Sequence, residues 1–274
     1  MGLILHPIIS RVRSTVLIRL LLVVCVMLSP LRLIAASGDS IVTAQRELQL
    51  RECLTYDIVY HWGIIWKRAA VGTLSIERAA DSYRAVMTAS TLPFADRLFK
   101  VRDTLVAEMR IVDLRPKNFV KIAREGKWHQ IDSLTYSYRN DSTMGYTVLT
   151  RPEKNFREVV PMAVEDDAYD MLSIFYRVRQ LPFYNMQVGD IFSKPIFSGR
   201  NIEQLDIEYM GTDTIEVMDK QCEAYYLRFR FYDRQGKKTS DRISAWLSVD
   251  DYIPLQLEGK LPIGSMKVIL VSRE

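Results

Sequence analysis

The chain has 274 residues, 48% of them hydrophobic and 26% charged, with 12 glycines and 10 prolines. This composition suits one large folded domain and excludes disordered and collagen-like chains. The formal net charge of +4 resides in the first segment: residues 1–36 hold Arg11, Arg13, Arg19 and Arg32 and no acid, so the remainder is formally neutral and offers no global case for nucleic-acid binding.

That first segment reads as an address. Arg11, Arg13 and Arg19 precede the uncharged run Leu20 to Leu31, and after Arg32 come the small residues Ala35, Ala36, Ser37 and Gly38. A basic start, an apolar middle and a small-residue exit predict a signal peptide over residues 1–36, a short lead over 37–51 and one β-rich domain over 52–274. The run is well short of the roughly 20 residues a spanning helix needs, and Pro30 interrupts it, so no stable transmembrane span is expected after cleavage. Cys25 follows Val24, where a lipoprotein signal has Gly, Ala or Ser. In an oxidising compartment Cys53 and Cys222 could form a disulfide closing a very long loop; each equally suits a strand as a small side chain.

Two-residue alternation then dominates. Leu54, Tyr56, Ile58, Tyr60 and Trp62 share one strand face, and Gly63 closes the run. Strands follow at Ala70–Arg78 and Tyr83–Thr91. After an irregular link opened by Pro93, Val101, Leu105, Ala107, Met109 and Ile111 line a fourth. Further strands are predicted at Phe119–Arg124, Lys127–Tyr138, Met144–Thr150 and Phe156–Pro161, with turns at Gly126 and Asn140–Ser142.

Asp166 to Gln180 breaks this rhythm. Met171, Ile174, Phe175 and Val178 repeat at helical spacing, Pro182 ends the stripe, and Asp166 or Asp167 could cap its start. Asp170, Ser173 and Arg177 mark the more polar side. Strands resume at Gly189–Phe197, Asn201–Met210, Cys222–Tyr232, Arg242–Val249, Pro254–Glu258 and Ser265–Ser272, with Asp233–Lys238 as a hairpin turn. About fourteen strands and one helix leave no room for alternating βαβ units. The fold class expected is therefore mainly β: a large antiparallel curved sheet, half-barrel or barrel, with one amphipathic helix at about 166–180 packed on it.

Candidate sites divide between functional and plain structural readings. Trp246, Asp250 and Pro254 could shape a cavity mouth, or form a strand pair joined by a turn with Trp246 in the core. Asp170, Ser173 and Arg177 could line a polar pocket and Arg179 could bind an acidic group, with Phe175 also a candidate ligand-binding residue, or the Arg and Asp side chains close the helix's own ends or pair locally. Ser173 has no histidine in a recognisable nucleophile motif. His61 and His129 lack the Cys or carboxylate spacing of a zinc site, and neither G-x-G-x-x-G nor G-K-[ST] occurs, so no metal, cofactor or catalytic residue is assigned. Arg115, Lys117, Lys121, Arg124 and Lys127, with Phe119 and Trp128 among them, read as a solvated hairpin.

Three stretches carry a family resemblance: Glu52–Gly63 (ECLTYDIVYHWG), Asp170–Arg179 (DMLSIFYRVR) and Trp246–Glu258 (WLSVDDYIPLQLE), the last followed by Gly264-Ser265-Met266-Lys267. In order and spacing the chain resembles the family of domain of unknown function 3108, exported proteins of Gram-negative bacteria. The resemblance implies a single periplasmic β-rich domain. The W-L-S-x-D-D-x-x-P-L stretch is also similar to periplasmic lipoprotein-carrier half-barrels. The expectation is a non-enzymatic protein of the periplasm or outer-membrane periphery that binds an apolar or lipid-like envelope ligand, with a lipid or lipoprotein as partner. The alternative is an envelope interaction protein with a solid core.

Overall fold

The computed structural model describes Leu48 and residues 51–239, 243–261 and 264–274. The predicted signal peptide lies outside the described residues. Among these described residues, fourteen strands form one antiparallel sheet that rolls into a nearly closed barrel. In chain order they are β1 (Arg51–Trp62), β2 (Ile65–Arg78), β3 (Ser82–Thr91), β4 (Arg102–Arg110), β5 (Pro116–Glu125), β6 (Trp128–Arg139), β7 (Ser142–Arg151) and β8 (Phe156–Val164). After a crossover come β9 (Ile191–Ser198), β10 (Asn201–Val217), β11 (Lys220–Tyr232), β12 (Ile243–Ser248), β13 (Pro254–Lys260) and β14 (Ser265–Arg273).

Each strand pairs with its chain neighbours except β8 with β9, which form the two edges, and β1 also pairs with β14. The strands therefore begin with β1 in the middle of the sheet, walk to one edge at β8, cross to the other edge at β9 and return to end beside β1 at β14. Pro161 and Pro195 fall on the two edge strands, where a missing N–H disturbs the ladder least. Alternation sets the faces as predicted: Leu54, Tyr56 and Ile58 of β1 are buried, as are Leu105, Ala107 and Met109 of β4. Two strands exceed their expected lengths by five residues or more, because β2 continues through polar Lys67 and Arg68 and β10 runs on past a bulge between Tyr209 and Thr212. Irregular pairing hides the period of two at such points.

The crossover, residues 165–190, closes the seam between β8 and β9. Tyr169 N–H donates to the Pro195 carbonyl at 3.0 Å and the Phe197 N–H to the Tyr169 carbonyl at 2.8 Å. The Thr143 hydroxyl of β7 donates to the Asp166 carbonyl at 2.7 Å and accepts the Ala168 N–H at 3.0 Å. Both faces of the β9–β10 hairpin are buried: Ile196 and Leu205 on one, Phe197 and Ile202 on the other. On the second face the Phe197 ring stacks on Tyr136 of β6 with centroids 5.5 Å apart, so the β6–β8 side of the sheet laps over this hairpin.

The predicted helix is shorter than its apolar stripe. Besides α1 (Pro93–Asp96), the described helix is α2 (Ser173–Val178), six residues rather than fifteen. Residues 166–169 are held extended by Thr143 and β9, and Pro182 blocks continuation. Asp170, rather than Asp166 or Asp167, organises the start: its Oδ1 accepts the N–H groups of Leu172 and Ser173, both at 2.8 Å. Asp166 pairs with Lys194, and Asp167 with Arg115. The expected polar side is a second correction, since Asp170 and Ser173 are fully buried and satisfy each other through a Ser173 hydroxyl to Asp170 Oδ2 hydrogen bond of 2.8 Å.

Candidate functional site: a filled core and an aromatic, basic end

At the crossover end the barrel interior is filled by its own chain. Tyr169, Tyr176 and Phe183 of the crossover are fully buried, and Phe183 sits among the rings of Tyr209, Tyr225 and Tyr252 with centroids 4.8–5.9 Å away. Arg179 reaches across to β1, where Nη1 and Nη2 donate to the two Glu52 carboxylate oxygens at 2.7 and 2.8 Å. The Tyr56 hydroxyl donates to the Pro254 carbonyl at 2.9 Å and the Tyr176 hydroxyl to the Ser75 carbonyl at 3.3 Å. Burial pushes the Tyr56 phenol well above its usual range, with the Arg179 charge opposing it. Burial likewise raises the Asp170 carboxyl to about 6 against the hydrogen bonds from Ser173 and Leu172.

The sequence-predicted site residues divide accordingly. Asp170, Phe175 and Arg179 share the crossover and serve its packing; Phe175 lies against Phe229 with ring centroids 6.3 Å apart. Trp246 and Asp250 are not brought onto the same site. Trp246 is a nearly buried wall residue that stacks on Tyr226 at 4.9 Å and donates its indole N–H to Asp213 at 2.9 Å. Asp250 is exposed in the β12–β13 turn, its N–H donating to the Ser248 hydroxyl at 3.2 Å. The turn holds Tyr252 at φ +61°, and Pro254 opens β13: this stretch is a strand pair joined by a corner.

Cys53 and Cys222 are free thiols, which corrects the possible disulfide. Four strand steps separate β1 from β11 through β14, β13 and β12. At about 4.8 Å per step that is roughly 19 Å along the sheet, against the 7 Å that a bridge tolerates between Cα atoms. Among the described residues no group of three or more His, Cys, Asp and Glu could hold a metal ion.

The opposite end, which gathers the β1–β2, β3–β4, β5–β6, β7–β8, β9–β10, β11–β12 and β13–β14 turns, differs in character. Gly63, at φ +59°, and Ile64 form the two-residue β1–β2 turn, as a tight hairpin with glycine in its first position requires. Around it apolar side chains face water: Ile64 is 98% exposed, Trp66 59%, Trp62 49% and, in the β3–β4 link, Leu98 73%. The His61 ring stacks on Trp66 at 3.9 Å, its Nε2 lies 2.8 Å from the Gly63 carbonyl and its Nδ1 3.3 Å from the Ser265 hydroxyl, so the turn is braced.

Charge is distributed unevenly between the ends. Arg97, Lys100, Lys127, Lys154, Arg234 and Lys237 are exposed in the turns of the hairpin end. The acids described there are engaged: Asp96 with Arg102, Glu153 with His129, and Asp233 with the N–H groups of Gln235 and Lys237. The crossover end exposes Asp81, Asp141, Glu165, Asp190, Asp219 and Asp250 alongside Arg51, Arg78, Arg139, Lys220 and Arg273, and Asp81 pairs with Lys117.

Beneath the hairpin end lies a feature that sequence reasoning missed. Asp103 and Glu125 are buried in phase with Leu105 and Ala123, and Asp132 in phase with Leu134. The Arg124 N–H donates to Asp103 at 2.9 Å, and Gln130 donates to Asp132 at 2.8 Å. Burial, and then the charge of Asp103, push Glu125 up to about 9, so it is protonated near neutral pH; Lys121 opposes the shift. Burial also raises Asp103 and Asp132. The available signal was charged residues at core-facing positions of otherwise apolar alternation, which marks Lys121 as inward-directed rather than part of a solvated run. The aromatic turn had a signal too, since hairpin tips are ordinarily polar.

A family model described as a protein of unknown function, DUF3108, matches residues 55–271. The chain belongs to that family. The fold of this DUF3108 chain is similar to that of a beta-barrel-like DUF1849 protein from Brucella abortus, with 11% identity over 82% of this chain and 97% of that one and a TM-score of 0.57. A candidate exported protein with a YmcC-like fold from Bacteroides fragilis aligns over 81% of this chain and 95% of its own at 8% identity and a TM-score of 0.34, a likeness too distant to bear on the argument. No curated protein matches the chain.

Proposed function

We propose that this DUF3108 protein is an exported, non-enzymatic component of the cell envelope that acts through its outer surface at the hairpin end. Export is supported by the basic, apolar and small-residue order of residues 11–38. The observation that carries the surface reading is that Tyr169, Tyr176 and Phe183 of its own crossover fill the barrel interior at the crossover end, where an enclosed apolar ligand would compete with them. The exposed aromatic turn supplies the contrasting feature, because a cluster of large apolar side chains in water marks an interaction surface.

Native mass spectrometry of protein released gently from the periplasm tests this reading. The expected result is a chain that begins near Ser37 and carries no additional mass. A lipid that stays bound through purification and is released by enlarging a core residue would overturn it in favour of an enclosed ligand, and retention in the cytoplasm would overturn export.

A further inference from the structure

The exposed apolar residues of the hairpin end are convex. Ile64 stands at the tip of a two-residue turn, with Trp62 and Trp66 on its flanks, and Leu98 projects from the neighbouring link. These two segments adjoin: the Lys67 ammonium lies 4.1 Å from the centroid of the Phe94 ring of α1. The β5–β6 turn extends the same surface, because the Gly126 N–H donates to the Lys100 carbonyl at 2.7 Å. Exposed Lys67, Arg97, Lys100 and Lys127 therefore surround the apolar tips.

We infer that this end docks on an anionic phospholipid bilayer, with Trp62, Ile64 and Trp66 entering the interface and Lys67, Arg97, Lys100 and Lys127 meeting headgroup phosphates. The inference rests on the surface-acting reading above and names its partner. Tryptophan suits the headgroup level, where its ring is sheltered and its N–H stays hydrated. Isolated protruding side chains suit a deformable lipid surface better than a rigid protein, which would need a matching concave pocket. The stacking of His61 on Trp66 fixes the tip in advance, so little conformational freedom remains to be lost on docking.

The test is co-sedimentation of protein expressed from the full-length sequence, with and without vesicles of mixed phosphatidylglycerol and phosphatidylcholine, alongside vesicles of phosphatidylcholine alone. The anionic vesicles are expected to bind it and to shift tryptophan emission to the blue, while neutral vesicles bind at least tenfold more weakly. Ile64→Asp, at a position almost wholly in solvent, should fold with unchanged circular dichroism and lose tenfold or more of the vesicle affinity. Lys100→Glu should lower it by at least about fivefold, the equivalent of one base near an anionic surface. Binding of Ile64→Asp equal to that of the parent, or no binding to anionic vesicles, would overturn the inference. So would concentration-dependent self-association without vesicle binding, which would make a second copy the occupant. A bare chain in the mass spectrometer with no vesicle binding would remove the lipid partner and leave the surface-acting reading standing.

Discussion

A guanidinium held against both oxygens of a carboxylate, with each side chain nearly out of water, has lost hydration that only its partner replaces. Arg179 and Glu52 are in that position at 2.7 and 2.8 Å. Removing one partner leaves a buried charge alone, at a cost of about 3–5 kcal/mol, whereas replacing both with apolar side chains of similar volume is close to neutral. Arg179→Met is therefore expected to lower the urea midpoint sharply and Glu52→Leu/Arg179→Met to restore most of it. An equally unstable double variant would show that the pair contributes more than compensation for its own burial. Glu125 gives a pH prediction. Its carboxyl rises from 4.5 to about 9, so the folded state binds more protons and the contribution to stability is complete below 4.5 and declines as pH rises through the folded value. Asp170, raised to about 6, acts in the same direction over a lower range. Between about pH 6 and 9 the unfolding midpoint should fall with pH, and Glu125→Gln should make that fall shallower; an unchanged slope would remove Glu125 as its cause. Alternation made the inward direction of these side chains legible, but not their partners, since Glu52 and Arg179 lie on segments joined only by the closed barrel.

At the scale of elements, periodicity located strands more accurately than it located the helix. A period of two requires only that one face be buried, which every strand of this barrel satisfies. The stripe from Met171 to Leu181 also records burial, yet only Ser173–Val178 is helical within it. The remaining residues are buried because the crossover fills one end of the barrel, its first residues held extended by Thr143 of β7 and Pro195 of β9. Burial around an irregular segment mimics the apolar side of a helix. Similarly, the aromatic turn between β1 and β2 was visible as a strand that ends at Gly63, while its function as a protruding tip depends on neighbouring turns that long-range pairing brings alongside.

Across the whole molecule the first and last strands meet in the middle of the sheet. The Cys53 N–H donates to the Glu274 carbonyl and the Glu274 N–H to the Cys53 carbonyl, both at 2.9 Å, and β14 fills the place between β1 and β13. The sheet is thus incomplete at its centre until the last residues arrive, and its completion brings together segments at opposite ends of the sequence, a slow kind of pairing. Deleting residues 265–274 would expose the ladder edges of β1 and β13 together with apolar Met266 and Leu270 contacts of the core. The expected product is aggregated or rapidly cut by protease, although the deletion leaves every hairpin from β1 to β8 and from β9 to β13 intact in sequence. A deleted chain that stays monomeric and resists limited proteolysis as well as the parent would mean that the two meanders hold their shape without a continuous sheet, with the lapped β6–β9 seam and the Arg179–Glu52 pair sufficing to join them.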